Sequence, residues 1–489
     1  MQSLRAAPPA SAGYLLPVLH RWLFHAPLHG IAALVNTESA AILRADAPEA
    51  WPAVLHPLRA ALSAAVPAAP RPLEGDVCPS FLGIIPTRGC NLGCVYCNFG
   101  GPTASRERMD PRVAVAAVDW MAKRLHEAGR ELFQIHFFGG EPFVAPEVVD
   151  VVVHRARYMA ARYGLRTYVD ASTNGVFDEA RCRFVGDYFG GVVLSFDGFP
   201  EHHDRTRPGK NGRPTFEAVA RTARRLAQMP LDLCIRVCVT QDSVARLEEI
   251  TDWMCTEFSP AVVNFETLTP GELATAAGLR VPDPYEFAAH CVGAYRVAES
   301  HGIRAVYSAA EHERVRLSFC PVGTDALIVS LDGRVSACYL LPEDWRMRGL
   351  DMDLGSISPD GGMRLDRDAV ARARRLPAEK PRCDGCFCRW SCAGGCHVNQ
   401  TYPGSSDAYT DFCIQTRLVT ACLLLRELGQ EELVDELLAH GGALRALAGH
   451  APDTVDLGWC THEGSTPAAV RQPRGAGRSL VADGMTLLG

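Results

Sequence analysis

Between residues 81 and 301, short apolar runs alternate with longer amphipathic stretches, and this alternation limits the fold more than any other feature. The runs at 81–86, 132–138, 166–172, 192–196, 231–239 and 262–268 read as buried strands. The stretches at 111–128, 146–163, 179–188, 215–228, 243–257 and 285–301 read as helices. Helices between successive strands demand parallel pairing with right-handed crossovers. Six such units fall short of a closed eight-stranded barrel. The expected fold is therefore α/β, a partial (β/α)6 barrel left open on one side. In such folds chemistry sits at the carboxyl ends of the strands.

Those ends carry the informative residues. The first strand runs into Cys90-Asn91-Leu92-Gly93-Cys94-Val95-Tyr96-Cys97. Three thiolates at this spacing can hold three irons of a 4Fe–4S cluster, leaving the fourth iron open to a small molecule. Structural zinc wants a fourth nearby ligand, which the loop lacks. The second strand ends in Phe137-Phe138-Gly139-Gly140-Glu141-Pro142. Two glycines allow a ligand close to the backbone, and Glu141 can accept hydrogen bonds from an amino group. The third ends in Ser172-Thr173-Asn174-Gly175, with groups suited to a ribose. The fourth ends in Ser195-Phe196-Asp197-Gly198, and Arg207 beyond it suits bidentate recognition of a carboxylate.

Size and charge narrow the setting. A chain of 489 residues predicts two to four domains, and 47% hydrophobic residues supply ample core. A formal net charge of −7 gives no reason to expect nucleic acid or an acidic membrane as partner. The start, 6–13, lacks the charged and apolar regions of a signal peptide, and no apolar run reaches membrane-spanning length. A cytoplasmic setting with reduced thiols is expected, so the clustered members of the 19 cysteines read as metal ligands rather than disulfides. Cys182, Cys234, Cys238, Cys255 and Cys422 stand singly in apolar stretches and read as small buried hydrophobes. His126, His136 and His154 lack metal spacing, and the Arg- and Asp-rich stretch 364–375 reads as a solvated helix face.

The motifs taken together resemble the radical S-adenosylmethionine (SAM) superfamily. The run from Leu194 to Gly198, with His203-Asp204-Arg205-Thr206-Arg207 and Asn211-Gly212, looks like its peptide- and protein-modifying branch. The resemblance implies that Cys90, Cys94 and Cys97 hold a cluster whose open iron is chelated by SAM. It places Tyr96 near the adenine, and Gly139, Gly140 and Glu141 on the methionine amino group. Ser172, Asn174 and Ser195 would line the cofactor, and Arg207 would meet its carboxylate. It also implies that one electron cleaves SAM to a 5′-deoxyadenosyl radical, which takes hydrogen from an unactivated carbon. Flavodoxin or ferredoxin would supply that electron.

A second cysteine system follows: Cys320, Cys338, Cys383, Cys386, Cys392, Cys396 and Cys413, with a hairpin signal at Asp332-Gly333. Paired cysteines suit zinc, but seven are too many for one site. They resemble the SPASM domain, which carries two auxiliary 4Fe–4S clusters, so that three clusters and SAM are implied in all. By that resemblance Cys320, Cys338 and Cys396 ligate the first auxiliary cluster, and Cys383, Cys386, Cys392 and Cys413 the second. Relatives have one more cysteine shortly before the position of Cys320, and 314–319 has none. Either the first auxiliary cluster keeps an open iron, or Cys388 or the upstream Cys291 supplies its fourth ligand. In sulfatase-maturing relatives an Asp thought to take the substrate proton follows the equivalent of Cys338; here it is Tyr339. A tyrosine, with an ordinary pKa of about 10, is a poor base. Tyr339 then packs near substrate or assists with a hydrogen bond, and Glu343 and Asp344 are alternative bases.

The expected organisation is a small N-terminal α+β unit at 1–75, a barrel at 76–310, the SPASM domain at 311–425, and a helix with a mobile tail at 426–489. The first 12 residues read as disordered. A hairpin at 20–36 turns at Leu28-His29-Gly30, and the N-terminal unit either docks a peptide or covers the next domain. The expected activity is oxidative modification of a ribosomally made precursor peptide, most readily a C–C, C–S or C–O cross-link. The alternatives are a formylglycine-generating sulfatase-maturing enzyme and a non-catalytic iron–sulfur peptide scaffold.

Overall fold

The structure, a computed structural model, describes residues 12–45, 47–63, 69–99, 107–400, 409–449 and 453–460. The chain begins with β1 (Ala12–Val18), β2 (Arg21–Ala26) and β3 (Ile31–Val35), an antiparallel meander followed by α1 (Thr37–Ala45) and α2 (His56–Leu62). The hairpin turns at Gly30, whose φ of 61° suits a residue without Cβ. Strand β1 was hidden behind the Pro/Ala-rich start and interrupted by Pro17, so only the hairpin was legible.

The barrel strands are β4 (Leu82–Ile84), β5 (Leu132–Phe137), β6 (Arg166–Thr173), β7 (Gly191–Ser195), β8 (Asp232–Val239), β9 (Val262–Thr267) and β10 (Arg304–Tyr307). Between them run α3 (Pro111–Glu127), α4 (Pro146–Tyr163), α5 (Glu179–Tyr188), α6 (Pro200–Thr206), α7 (Phe216–Leu226), α8 (Leu247–Phe258), α9 (Glu272–Ala276) and α10 (Pro284–Ser300). All six expected strands are present and parallel, with β10 as a seventh. Four residues of mixed polarity, Arg304 to Tyr307, gave that strand no apolar run to read. Helix starts follow their chemistry: Asp110 accepts from Arg112 N at 2.9 Å before Pro111, and Asp283 caps α10 through Tyr285 N at 2.9 Å.

Period-2 alternation divides the two faces of the sheet. Ile84, Ile135, Phe137, Leu194, Ile235 and Phe265 join the helices in the main core. The opposite face carries His136, Asp170, Ser172, Ser195, Arg236 and Asn264, a polar interior that runs toward the strand ends. His136 and Asp170 are register partners whose side chains hydrogen-bond within it, which accounts for His136 as a structural histidine.

Beyond the barrel lie β11 (Leu327–Val329), β12 (Arg334–Ser336), α11 (Pro342–Arg346), β13 (Asp353–Ile357), β14 (Met363–Leu365), α12 (Arg367–Arg375) and α13 (Arg389–Cys392). The Asp332-Gly333 hairpin is present, with Gly333 at φ 77°. Strand β11 pairs parallel with β4, so the barrel sheet and the cysteine-rich region form one sheet, ordered β10-β9-β8-β7-β6-β5-β4-β11-β12-β13-β14.

The C-terminal helix is three: α14 (Asp411–Glu427), α15 (Glu431–Ala439) and α16 (Gly441–Gly449), broken first at Gly429, φ 71°. The expected tail is corrected over 453–456. There β15 (Asp453–Asp456) pairs antiparallel with β1 as the fourth strand of the N-terminal sheet. Val455 and Leu457 are buried beneath it, and Asp453 pairs with Arg44 at 2.7 Å. The expected disordered start and the rest of the tail lie outside the described residues. No helix among the described residues is long and apolar enough to cross a membrane.

Candidate active site

The three-cysteine loop leaves β4 at its carboxyl end and is stitched to the next two strand ends. Gly140 N donates to Thr87 O at 3.1 Å and Glu141 N to Gly89 O at 2.8 Å. A Cβ on Gly140 would stand 2.2 Å from Gly89 O and 2.3 Å from Arg88 O, and one on Gly139, φ 144°, 2.6 Å from Thr87 O. The backbone entering Cys90 therefore occupies the space that the two glycines leave. Asn174 Nδ2 donates to Asn91 Oδ1 at 2.8 Å and Cys90 Sγ at 3.5 Å, and Asn91 Nδ2 donates to Val176 O at 2.7 Å. Cys90, Cys94 and Cys97 are half-buried thiols and electrostatic neighbours. Burial pushes the Cys90 thiol up to about 11.

Glu141 is buried and already hydrogen-bonded. Its carboxylate accepts from Thr173 Oγ1 at 2.8 Å, Asn174 N at 2.8 Å and Phe143 N at 3.2 Å. Burial raises its pKa to about 7 against those donors. A carboxyl that titrates higher in the fold favours the protonated folded state. Its contribution to stability is full below about 4.5 and is lost as pH rises through about 7. The metal-free chain should unfold at lower denaturant at pH 8 than at pH 6 on this account. Glu141→Gln should narrow that gap in urea titrations; an unchanged gap would refute the assignment.

Asp197 is the hub of the fourth strand end. It is fully buried and accepts from Tyr96 OH at 2.6 Å, Thr206 Oγ1 at 3.0 Å and Cys238 N at 3.2 Å. Arg207 Nε stands 3.0 Å from the same carboxylate, with its guanidinium carbon 5.2 Å from the centre of the Tyr96 ring. Burial works against ionisation of Asp197, but Arg207 and His203 hold its pKa below the usual carboxylate range. Asp197, not singled out from the sequence, thus joins Tyr96 and Arg207. Its place in the Ser-Phe-Asp-Gly run was the available signal. Ser172 and Ser195 are half-buried on the inner face. Ser195 is in register with Arg236, which donates to Asn264 Oδ1 at 3.1 Å.

The C-terminal cysteines fall into two groups. Cys320, Cys338 and Cys396 are electrostatic neighbours. Cys383, Cys386, Cys392 and Cys413 line one cavity with Arg417, Tyr409 and Cys388. Cys388 donates toward Cys386, and with Arg417 behind it lowers that thiol's pKa against the effect of burial. Cys388 therefore belongs with the second group. Cys291 lies in α10 near Glu266, Glu248 and Cys422, apart from the first group. The largest electrostatic influences on Cys320 and Cys338 include neither residue. No three His, Cys, Asp or Glu side chains among the described residues converge on a single ion. The four thiols around the second group's cavity are a donor set whose chemistry fits iron–sulfur ligation.

Tyr339 is buried and turned into the barrel. A Cβ on Gly83 would lie 2.3 Å from its hydroxyl, and its ring centre is 5.0 Å from that of Phe138. The hydroxyl has no hydrogen-bond partner among the described residues. Glu343 is exposed. Asp344 caps α11 through Leu341 N at 3.3 Å and neighbours Cys338. Arg88, just before Cys90, donates to Tyr339 O at 3.0 Å and so ties the two cysteine regions together.

Residues 84–254 match the radical SAM superfamily, and a cysteine-rich region follows that match in the chain. A serine-type anaerobic sulfatase-maturating enzyme of Klebsiella aerogenes is 24% identical over 335 residues, 63% of this chain and 78% of that one. A cysteine-type anaerobic sulfatase-maturating enzyme of Clostridium perfringens is 29% identical over 161 residues, 32% of this chain and 43% of that one. The solved structure of native anSMEcpe with bound AdoMet and Kp18Cys peptide superposes with a TM-score of 0.56 at 19% identity, over 73% of this chain and 99% of that one. That likeness speaks for the fold.

Proposed function

We propose that this chain is a radical SAM maturase that oxidatively cross-links a ribosomally made precursor peptide. The observation that carries the reading is Tyr339, which fills the barrel interior directly after Cys338 with a hydroxyl rather than a carboxylate. In this reading Cys90, Cys94 and Cys97 hold a cluster, and Gly139 to Glu141, Ser172, Asn174, Ser195, Tyr96 and Arg207 surround SAM. When bound, the cluster and SAM supply a 5′-deoxyadenosyl radical that takes hydrogen from carbon. The chain's own part is to hold and shield. Glu141 fastens the β5 and β6 ends together, and the Asp197–Arg207 pair fixes Tyr96 beside Cys94. The aromatic floor of Phe138 and Tyr339 keeps water from the interior. Cys320, Cys338 and Cys396 would hold the first auxiliary cluster with room for a substrate thiolate or amide, and the four-cysteine group would hold the second. Of the two carboxylates considered, half-buried Asp344, an electrostatic neighbour of Cys338, is the proton acceptor in this reading. Flavodoxin or ferredoxin serves as electron donor.

After anaerobic reconstitution, about eleven or twelve irons per chain are expected. SAM with dithionite should give 5′-deoxyadenosine, and a precursor peptide should lose two hydrogens in mass. A fully loaded protein that yields no 5′-deoxyadenosine would sink the reading. The names and coverage of the curated relatives favour a second reading, formylglycine formation. A sulfatase-derived peptide converted to the aldehyde, with no cross-linked product from any precursor peptide, would establish it instead.

A further inference from the structure

The chain has 49 basic residues but only three lysines, Lys123, Lys210 and Lys380. Lys123 is exposed on α3, and Lys210 lies beside the Cys90 loop, its backbone N donating to Asn91 O at 3.3 Å. Lys380 is different. Its ammonium donates to Ala393 O at 2.7 Å and to Gly395 O at 2.9 Å. Those carbonyls belong to Ala393-Gly394-Gly395, whose φ values are 49°, 74° and 68°. Three successive left-handed residues are uncommon, and for the alanine the conformation is costly. Here they curl the chain around the ammonium. The same three residues separate Cys392, of the second cysteine group, from Cys396, of the first.

The fit is close. A Cβ on Gly394 would meet Lys380 Cδ at 2.5 Å, Cys383 Sγ at 3.0 Å and Lys380 Nζ at 3.1 Å. Ammonium and second-group sulfur therefore flank one glycine. The electrostatic neighbours of Lys380 are Cys320 and Cys396 from the first group and Cys383 and Cys392 from the second. The ammonium, a compact point charge with several donors, serves both carbonyls at once.

We propose that Lys380 is a cation shared by the two auxiliary centres, held by Ala393 O and Gly395 O between the cysteine groups, where it raises the reduction potential of both. The inference rests on the reading that both groups hold iron–sulfur clusters. Adding an electron to a thiolate-ligated cluster adds negative charge, and a fixed positive charge in a poorly solvated setting favours that state. A purely structural lysine would pin the loop and leave the potentials alone.

The test is an EPR-monitored redox titration of the full-length reconstituted chain. Cys90, Cys94 and Cys97 are each changed to alanine to remove the signal of the first cluster. Lys380→Met should move the reduction equilibrium of the auxiliary centres at least tenfold toward the oxidised state, about 59 mV for one electron. Lys380→Arg, which keeps the charge, should move it much less. Unchanged potentials in Lys380→Met with full auxiliary iron would overturn the proposal. If Lys380→Met fails to hold iron, pulsed EPR of the otherwise unmodified lysine 380 chain grown on 15N-lysine decides. A 15N coupling on both auxiliary signals supports the proposal, and its absence from either overturns it. Auxiliary sites that take up no iron in the parent chain would defeat the reading beneath it. A potential shift in the titrated variants, alongside a parent chain with Cys90, Cys94 and Cys97 intact that cannot cleave SAM, would count against the proposed function alone.

Discussion

Gly140→Ala is expected to lower 5′-deoxyadenosine formation by a factor on the order of 10² or more, while Gly93→Ala, inside the cysteine loop itself, should be nearly silent. The added methyl at 140 would fall 2.2 Å from Gly89 O and 2.3 Å from Arg88 O, both backbone atoms. Neither can rotate away as a side chain would, so the backbone must move. The segment that would move leads straight into Cys90, and the hydrogen bonds from Gly140 N and Glu141 N that hold it would lengthen with it. Overpacking alone would cost about 1–3 kcal/mol. The functional loss is larger, because a displacement near 1 Å at a reacting centre carries a cost on the order of 10² in rate. At Gly93 the nearest atoms to an added methyl, Gly209 O and Lys210 Cα, are both 3.7 Å away, an ordinary contact. Iron content and SAM cleavage measured on both variants decide it; equal activity would mean that the β5 glycines do not position the loop.

Asp197→Asn should destabilise the chain by about 3–5 kcal/mol, because it leaves Arg207 buried without its opposite charge. An asparagine keeps the shape, but its single carbonyl oxygen cannot serve Tyr96, Thr206 and Arg207 on one side and Cys238 N on the other. Tyr96→Phe removes only one of those bonds and should cost about 1.5–3 kcal/mol. The pH dependence carries the same signature. Asp197 titrates below its ordinary value of 3.8 in the fold, so its stabilisation is present above that pH and is lost as pH falls through the folded value. Urea unfolding between neutral and acid pH should show a steeper acid loss in the parent than in Asp197→Asn. A variant within about 1 kcal/mol of the parent at neutral pH would remove Asp197 from the centre of this argument.

The parallel strands were legible because strands covered by helices need apolar residues on that face, and runs such as Val192 to Phe196 stand out. Strands β13 and β14 were not, since they lie in a polar antiparallel extension where Asp353, Gly355 and Arg364 leave no apolar period. The cysteine loop and the strand-end motifs were legible as types, because few residues other than thiols can grip iron. Their neighbours were not, because contacts across 80 or more positions leave no local trace. Asn174 reaching Asn91 and Arg88 reaching Tyr339 are each set by the tertiary fold. The glycines of the second strand end show the same limit: composition announces close approach without saying what approaches. The allocation of Cys388 and Cys291 likewise needed the placement of α10 and of the loop before α13.

The pairing of β15 with β1 has a consequence for how the chain is made. Strand β1 ends at Val18 and its outer partner begins at Asp453, so the edge it presents stays uncovered for most of synthesis. At ribosomal rates of about 5–20 residues per second, the wait lasts on the order of half a minute. Throughout that interval a backbone edge of the N-terminal sheet is open to any matching strand, including the 453–456 segment of a neighbouring copy finished earlier on the same message. Slow or crowded expression should therefore favour strand-exchanged dimers, and a chain released before residue 453 should carry that edge permanently.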